Sequence, residues 1–556
     1  PIHIFSYKKT NTITSSSSII PLLFTKKIIK INKKLYSLTP IDLFLSFSFL
    51  LFISSILYAK LSTKSSATDD TYNNDNKPPT YPIIGCLVAF NQNKRRLLEW
   101  YTELLAASPT QIIEVSRLGA RKTVVTANPE NVEYILKTKF NNFPKGRPFA
   151  ELVGDLLGCG IFNVDGELWA SQRKLASHEF TTKSLREFVV KTLEDEVEGR
   201  LFPLLQTAAM ENKVIDLQEV LKRLTYDTIC KVSLGTDPNC LDLSVPVPPL
   251  IAAFETAAEI SARRSTTPIY LLWKLKRALN LGSEAKLKNS IQTIHTQVTK
   301  IIQDKQKSFS KTDFNGQSAS SHDFLSRFLA AGYDGELARD MVISFLMAGR
   351  DTTAAAMTWL FWLISSKNTS ARDSIRAELG TIKSSGQLGY EVVKRDMGYL
   401  QACLCETMRL YPPVAWDSKH AANDDVLPDG TRVKKGERVT YFPYGMGRME
   451  KIWGTDWSRF DPDRWFEKAQ NDHDDDVSSR GGLKMVNPYV FPVFQAGPRV
   501  CLGKEMAFIQ MKYVVASVIS RFDFEPVSLE PPVFVPLLTS HMYGGLRVRV
   551  KEIGSA

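Results

Sequence analysis

At 556 residues, with 44% apolar residues and nine tryptophans, the chain can bury a large core, and its class is globular. The net charge of +11 looks like a nucleic-acid or membrane signal until it is divided along the chain. Seven of those charges are lysines within residues 1–40, which hold no Asp, Glu or Arg, so the body carries only +4 and gives no ground for a nucleic-acid partner. Seven scattered cysteines without CxxC or CxxH spacing argue against zinc and against a disulfide framework, and point to a reducing compartment.

Residues 1–40 form a basic, Ser- and Thr-rich leader, which can be read as an organelle transit peptide, although such peptides favour arginine. Residues 41–61 enclose an uncharged apolar run from Leu43 to Ala59, seventeen residues long, which predicts one transmembrane anchor. The positive-inside rule would put the lysine-rich leader in the cytosol. Residues 62–85 read as a polar linker ending in Pro78, Pro79 and Pro82, a stiff hinge that cannot join a helix. Residues 86–556 read as the main body.

Within the body, Ile112 to Val115 and Thr123 to Thr126 are β-branched runs around Gly119 and predict a hairpin. Asn128-Pro129 predicts a helix start, with Asn as the cap and Pro at the first helical position. Phe140 to Gly160, with four glycines and two prolines, reads as a loop able to line a pocket. Trp169 and Arg173, four apart on one helical face, can reach one carboxylate together. Residues from Val190 to Lys305 predict several amphipathic helices, and Ser308 to Ser321 a polar linker.

Glu336 to Ser366 is the longest helical pattern, about 46 Å at 1.5 Å per residue, and is apolar nearly all round, so it should cross the core. In its middle stands Ala348-Gly349-Arg350-Asp351-Thr352-Thr353, where a buried charge and a glycine are both costly. A functional reading accounts for them: Ala348 and Gly349 leave space for a diatomic ligand, and Thr352 and Asp351 relay protons to it. Glu406 and Arg409 sit three apart on a helix that Tyr411-Pro412-Pro413 ends. Near the C-terminus, Val533 to Thr539 predicts an apolar turn, followed by a strand from Leu546 to Val550.

Between these last two lies Phe494-Gln495-Ala496-Gly497-Pro498-Arg499-Val500-Cys501-Leu502-Gly503, a tight loop expected to deliver Cys501 to the first turn of a helix from Leu502 to Ser520. Unpaired helix N–H groups and the dipole would there favour a thiolate. Phe494 gives an apolar cover and Arg499 a cation, as a flat, acidic, apolar cofactor such as haem requires.

The loop resembles the cysteine loop of the cytochrome P450 superfamily, meeting its five fixed positions with Phe494, Gly497, Arg499, Cys501 and Gly503. The resemblance runs from about Pro78 to Ile553. It implies a mainly α fold with small β-sheets, a single haem-thiolate monooxygenase domain behind an N-terminal transmembrane helix. It also implies haem b ligated by Cys501, with Phe494, Gly497 and Arg499 around it and Trp169, Arg173 and Lys419 on its propionates. Glu406, Arg409 and Arg464 would form a structural triad. Thr352 and Asp351 would manage protons, and Ala348, Val414, Ala415, Leu537 and Leu538 would line the substrate pocket. Ala348 stands where animal fatty-acid ω-hydroxylases carry a Glu that esterifies the haem, which implies haem held here by Cys501 and noncovalent contacts.

Expected partners are O2, an NADPH-cytochrome P450 reductase supplying electrons from NADPH, and the endoplasmic reticulum membrane, with the catalytic body in the cytosol. The wording AGRDTT, YFPYGMGRMEKIWG and FPKGRPF is similar to that of plant fatty-acid ω-hydroxylases, which implies hydroxylation of the terminal carbon of a fatty acid. Rival readings are ω-oxidation of a jasmonoyl-amino acid conjugate or a sterol side chain, a reductase-independent lipid hydroperoxide isomerase or dehydratase, and a haem sensor. Lys145 and Arg147 are candidates for binding the substrate carboxylate.

Overall fold

The computed structural model describes residues 47–48, 78–180, 183–244, 246–312, 323–333, 335–383, 388–467 and 481–554. The leader, the linker before residue 78 and all but two residues of the expected anchor lie outside them. Among the described residues no helix is long and apolar enough to cross a membrane. The described residues from 84 to 554 form one compact unit, to which every helix and strand below belongs.

The body is mainly helical with small sheets, as its sequence predicts. Strands β1 (Ile112–Val115), β2 (Thr123–Thr126), β3 (Val214–Asp216), β4 (Asp417–His420), β5 (Asp425–Val426), β6 (Arg432–Val433), β7 (Arg438–Tyr441), β8 (Phe522–Pro526), β9 (Phe534–Pro536), β10 (Ser540–Met542) and β11 (Arg547–Glu552) form four sheets. The largest runs β1-β2-β7-β4, with β2 and β7 parallel and the other pairs antiparallel. The hairpin β1-β2 has the expected bounds, and the Asn128 side chain caps the next helix by accepting from Glu130 N at 2.9 Å.

The stretch expected to be a loop from Phe140 to Gly160 is instead largely helix α1 (Gly146–Leu157). Gly146 (φ 73°) opens it and Gly158 (φ 49°) closes it, with Pro148 in the first turn, while Gly154 lies inside the helix. The other site helices are α2 (Gly166–Phe180), α3 (Leu217–Leu234), α4 (Pro249–Thr266), α5 (Leu271–Ala278), α6 (Gly335–Ser366), α7 (Gly398–Leu410) and α8 (Lys504–Ile519). Helix α6 crosses the core as its apolar circumference requires, with α3, α7 and α8 packed against it. Trp359 on α6 is fully buried and stacks on Tyr411, ring centroids 4.0 Å apart. A side chain at Gly349 would meet Ile229 Cδ1 of α3 at 2.5 Å, so close helix packing, and not ligand space alone, requires that glycine. Arg350 is buried but paired, with Glu255 of α4 at 2.7 Å and Asp351 at 2.9 Å.

Glu406 is a hub with no exposure. It accepts from Arg409 Nε at 2.8 Å and Nη2 at 2.7 Å, from Arg464 Nε at 3.1 Å, from Trp465 Nε1 at 3.0 Å and from Asp461 N at 3.0 Å. Arg409 also donates to the carbonyls of Gly447 and Arg459, so one ion pair fixes three separate stretches of chain. Removing the carboxylate strands two guanidinium groups in a dry interior. Glu406→Ala is expected to lower stability by about 3–5 kcal/mol in urea unfolding, and a loss under 1 kcal/mol would contradict the role of the hub.

Candidate active site

A cavity of about 450 Å³ lies between α6 and the cysteine loop and extends to the face of the four-stranded sheet. Phe494, Leu502, Gly503, Met506, Ala507 and Met511 form one wall near Cys501, and Ala348, Gly349, Thr352, Thr353 and Ala356 of α6 form the other. Val414, Leu537 and Leu538 also line it; Ala415 instead packs into the core beside Phe442 and Tyr444.

The loop around Cys501 is shaped by its backbone. Gly497 has φ 65°, and a Cβ there would lie 2.1 Å from the Leu136 carbonyl, so no larger residue fits. Cys501 N donates to Phe494 O at 2.8 Å, which closes the loop on itself. Helix α8 begins at Lys504 with Gly503 as its cap, so Cys501 precedes the helix and does not sit in its first turn. The helix reaches the sulfur through the Gly503 N–H.

Cys501 is exposed, but what it faces is the cavity, walled by protein. Burial pushes its thiol above the usual range, and the Gly503 N–H, Arg173 and Lys504 offset this only in part. The N–H and the two cations favour the thiolate as the sequence suggests, burial opposes it, and a metal ion at this soft donor would complete the deprotonation.

A polar rim borders the sulfur. Arg499 donates to Asp165 Oδ1 at 2.7 Å and to the Val164 carbonyl at 2.8 Å, and its guanidinium lies 4.6 Å from the Trp169 ring centroid. Arg173 donates to the Val500 carbonyl. Trp169, Arg173 and Arg499 all line the cavity. Lys419 does not; it is fully buried, with its Nζ 3.0 Å from Asp417 Oδ2.

Asp417 is the residue the sequence did not single out. Lys145, Lys419, Tyr441 and Gln495 all donate to it, from four different segments. Burial acts to raise its pKa, but the Lys145 and Lys419 ammonium groups outweigh it and hold the carboxyl well below the usual range. Burial likewise pulls Lys419 down to about 7. Gln495 reaches Asp417 from a positive φ of 62°, a strained backbone for a non-glycine residue and invisible in its identity. Lys145 is thus already paired, and the Arg147 side chain is 90% exposed beside Glu151, so neither is free for a substrate carboxylate in the cavity.

The donor set fits haem. The walls near the sulfur are apolar, and three cations that line the cavity (Lys145, Arg173, Arg499) stand against two carboxylates (Asp165, Asp417), a surplus of one positive charge suited to an acidic cofactor edge, with Lys419 buried behind Asp417.

Thr352 and Asp351 are adjacent on α6 but point apart, as the 100° step of a helix dictates. Thr352 lines the main cavity and donates to the Ala348 carbonyl at 2.6 Å. Asp351 instead lines a second, polar cavity of about 190 Å³ with Lys222, Glu255, Glu259, Arg350 and His541.

His420 lines the main cavity with its Nδ1 2.6 Å from the Lys145 carbonyl, which makes Nδ1 the donor and Nε2 an acceptor. That Nε2 is buried and has no partner among the described residues. Burial, then Arg438, lowers the His420 pKa to about 4.

A thiolate-donor loop, a long core helix with an alcohol facing that sulfur and a buried Glu-Arg-Arg hub together define a haem-thiolate oxygenase. The chain belongs to the cytochrome P450 family, whose model matches residues 76–541, and it is a cytochrome P450 monooxygenase. It is 60% identical to cytochrome P450 94B1 of Arabidopsis thaliana over 475 residues, 85% of this chain and 91% of that protein. Cytochrome P450 94B3 of the same plant is 60% identical over 510 residues, 91% of this chain and 98% of the relative. Cytochrome P450 94A1 of Vicia sativa is 42% identical over 478 residues, 85% and 90% of the two chains.

The unfolded state takes up a proton on His420 near pH 6.5, and the native state near pH 4, so stability drains away as pH falls between those values. Between pH 7 and pH 5, His420→Gln is expected to lose about 2 kcal/mol less stability than the wild type in urea unfolding. Equal losses in the two proteins would contradict a neutral, buried imidazole.

Proposed function

We propose that this monooxygenase hydroxylates the terminal carbon of fatty acids, with electrons drawn from NADPH through a reductase. The observation that carries the reading is the single cavity joining the Cys501 and Thr352 end to the distant sheet face, lined mostly by apolar side chains. A terminal methyl is a stronger C–H bond than its neighbours, so selectivity needs a channel that admits a chain end first.

Cys501 would hold haem, with Phe494 and Gly497 shaping its seat and Trp169, Arg173 and Arg499 countering its acidic edge, while Lys419, expected there too, would act only through Asp417. Haem so bound supplies the activation of O2 and its insertion into a C–H bond. The protein's own part is proton handling and exclusion. Asp351 at the polar cavity can collect protons and Thr352 at the reaction cavity can deliver them; no hydrogen bond among the described residues joins the two, so water has to carry the proton between them. Thr352 has to turn its hydroxyl away from the Ala348 carbonyl to deliver it. Ala348, Val414, Leu537 and Leu538 exclude water from the chain end.

A second reading is ω-oxidation of a jasmonoyl-amino acid conjugate. It is favoured by His420 Nε2, an unpaired acceptor on the cavity wall that an amide N–H would satisfy and a free fatty acid would not.

A membrane site is supported by the apolar run Leu43 to Ala59, and independently by the region of α5. There Ile269, Leu271, Leu272, Leu275, Leu279 and Leu281 are exposed, with Lys274, Lys276 and Arg277 among them. The location that fits is the endoplasmic reticulum membrane with the body in the cytosol.

Product analysis with reductase, NADPH, lauric acid and jasmonoyl-isoleucine tests the reading; terminal alcohols are expected, and in-chain products or none from either substrate would overturn it. In the same assay Thr352→Ala is expected to keep consuming NADPH while at least about tenfold less of it reaches product and peroxide accumulates. Fully coupled turnover in that variant would remove Thr352 from the proton route.

A further inference from the structure

The end of the cavity away from Cys501 holds charge that nothing in the protein neutralises. Arg438 and Thr440 of β7 alternate onto the cavity face of the sheet, while Val439 and Tyr441 turn into the core. No hydrogen bond or ion pair of the Arg438 guanidinium is found among the described residues, and its Nε is buried without a partner. Beside it Arg117 is held by the carbonyls of Thr267 and Ser265, each at 3.1 Å, and lies 4.1 Å from the Phe90 ring centroid, so it too has no carboxylate. The titratable neighbours of Arg438 are Arg117, Arg121, Tyr101 and Tyr270, together with His420, which stands directly across from it on β4 and brings no negative charge. One helical turn from Ser265, Ser261 lines the same cavity, almost fully buried, with its Oγ unpartnered.

An unmet buried cation is costly, and a wall that sets Arg438 beside a second guanidinium without a carboxylate and an idle hydroxyl is built for an anion. The site is distinct from the rim around the sulfur. Arg438 stands three residues, about 10 Å, along β7 from Tyr441, whose hydroxyl bonds Asp417 at 3.1 Å and so belongs to that rim.

We propose that Arg438, with Ser261 and the braced Arg117 beside it, anchors the carboxylate of the substrate, leaving the apolar tail to run toward Cys501 and Thr352. The inference rests on the proposed function in that both candidate substrates carry a carboxylate at the end remote from the oxidised carbon. It assigns the acid end to a face of the sheet and not to Lys145 or Arg147.

Binding to the holoenzyme, measured by calorimetry, separates the possibilities when each acid is compared with its methyl ester: lauric acid against methyl laurate, and jasmonoyl-isoleucine against its ester. The wild type is expected to prefer acid over ester by about 10- to 100-fold. Arg438→Gln should lose that preference by weakening the acid and sparing the ester, and Arg438→Lys should restore part of it. The absorption of the reduced CO adduct and the melting temperature report an intact fold. Ser261→Ala, which removes no charge, should weaken the acid about threefold or more. A preference kept in Arg438→Gln, or absent from the wild type, overturns the anchor. Loss confined to one acid assigns the anchor to that substrate. Should the wild type oxidise neither acid while Arg438→Gln still erases the preference, the oxidation reading falls and the anchor stands.

Discussion

The position of one sulfur atom depends on a loop too tight to carry a side chain at residue 497. Gly497 rests on the Leu136 carbonyl, Cys501 N closes back onto Phe494 O, and Arg499 is tied to Val164 and Asp165. Gln495 extends the same clamp to Asp417, and through it to Lys145, Lys419 and Tyr441. Because these partners come from distant parts of the chain, the loop cannot shift without unpairing buried charge. That cost holds the sulfur in register with α6.

Around this fixed point the molecule separates its tasks by direction. Helix α6 presents Thr352 to the reaction cavity and Asp351 to a polar one, so the route for protons and the route for an apolar chain reach the same spot from different sides. The sheet contributes by alternation: one face of β7 sends Val439 and Tyr441 to the core and the other sends Arg438 and Thr440 to the cavity wall. The Glu406 hub stands apart from both cavities and works by holding the chain that carries the loop.

Features carried by short spacings were legible in the sequence. The hairpin β1-β2, the Asn128 cap, the long helix and the Glu406–Arg409 pair all depend on neighbours in sequence or on a pattern with little freedom, whereas Arg464, 58 residues from Glu406, was implied only by the family resemblance. The Phe140 to Gly160 stretch departs from the loop expectation because only Gly146 and Gly158 take positive φ, at the two ends of a helix, while Gly154 is accommodated within it. Asp417 was not legible: its bond to Lys145 spans 272 residues, and nothing local marks a carboxylate as the meeting point of two lysines. Arg438 was silent for the opposite reason, since a missing partner has no sequence signature. Gly349 shows a mixed case, flagged correctly as unusual while its contact with Ile229 gives a packing cause the pattern could not supply.

The central claim is that the loop exists to give iron a sulfur ligand, and the visible spectrum of the reduced, CO-bound protein reads that ligand directly. The wild type should show the strongly red-shifted band of a thiolate-ligated haem, and Cys501→Ser should lack it. A red-shifted band that survives in Cys501→Ser would contradict the account.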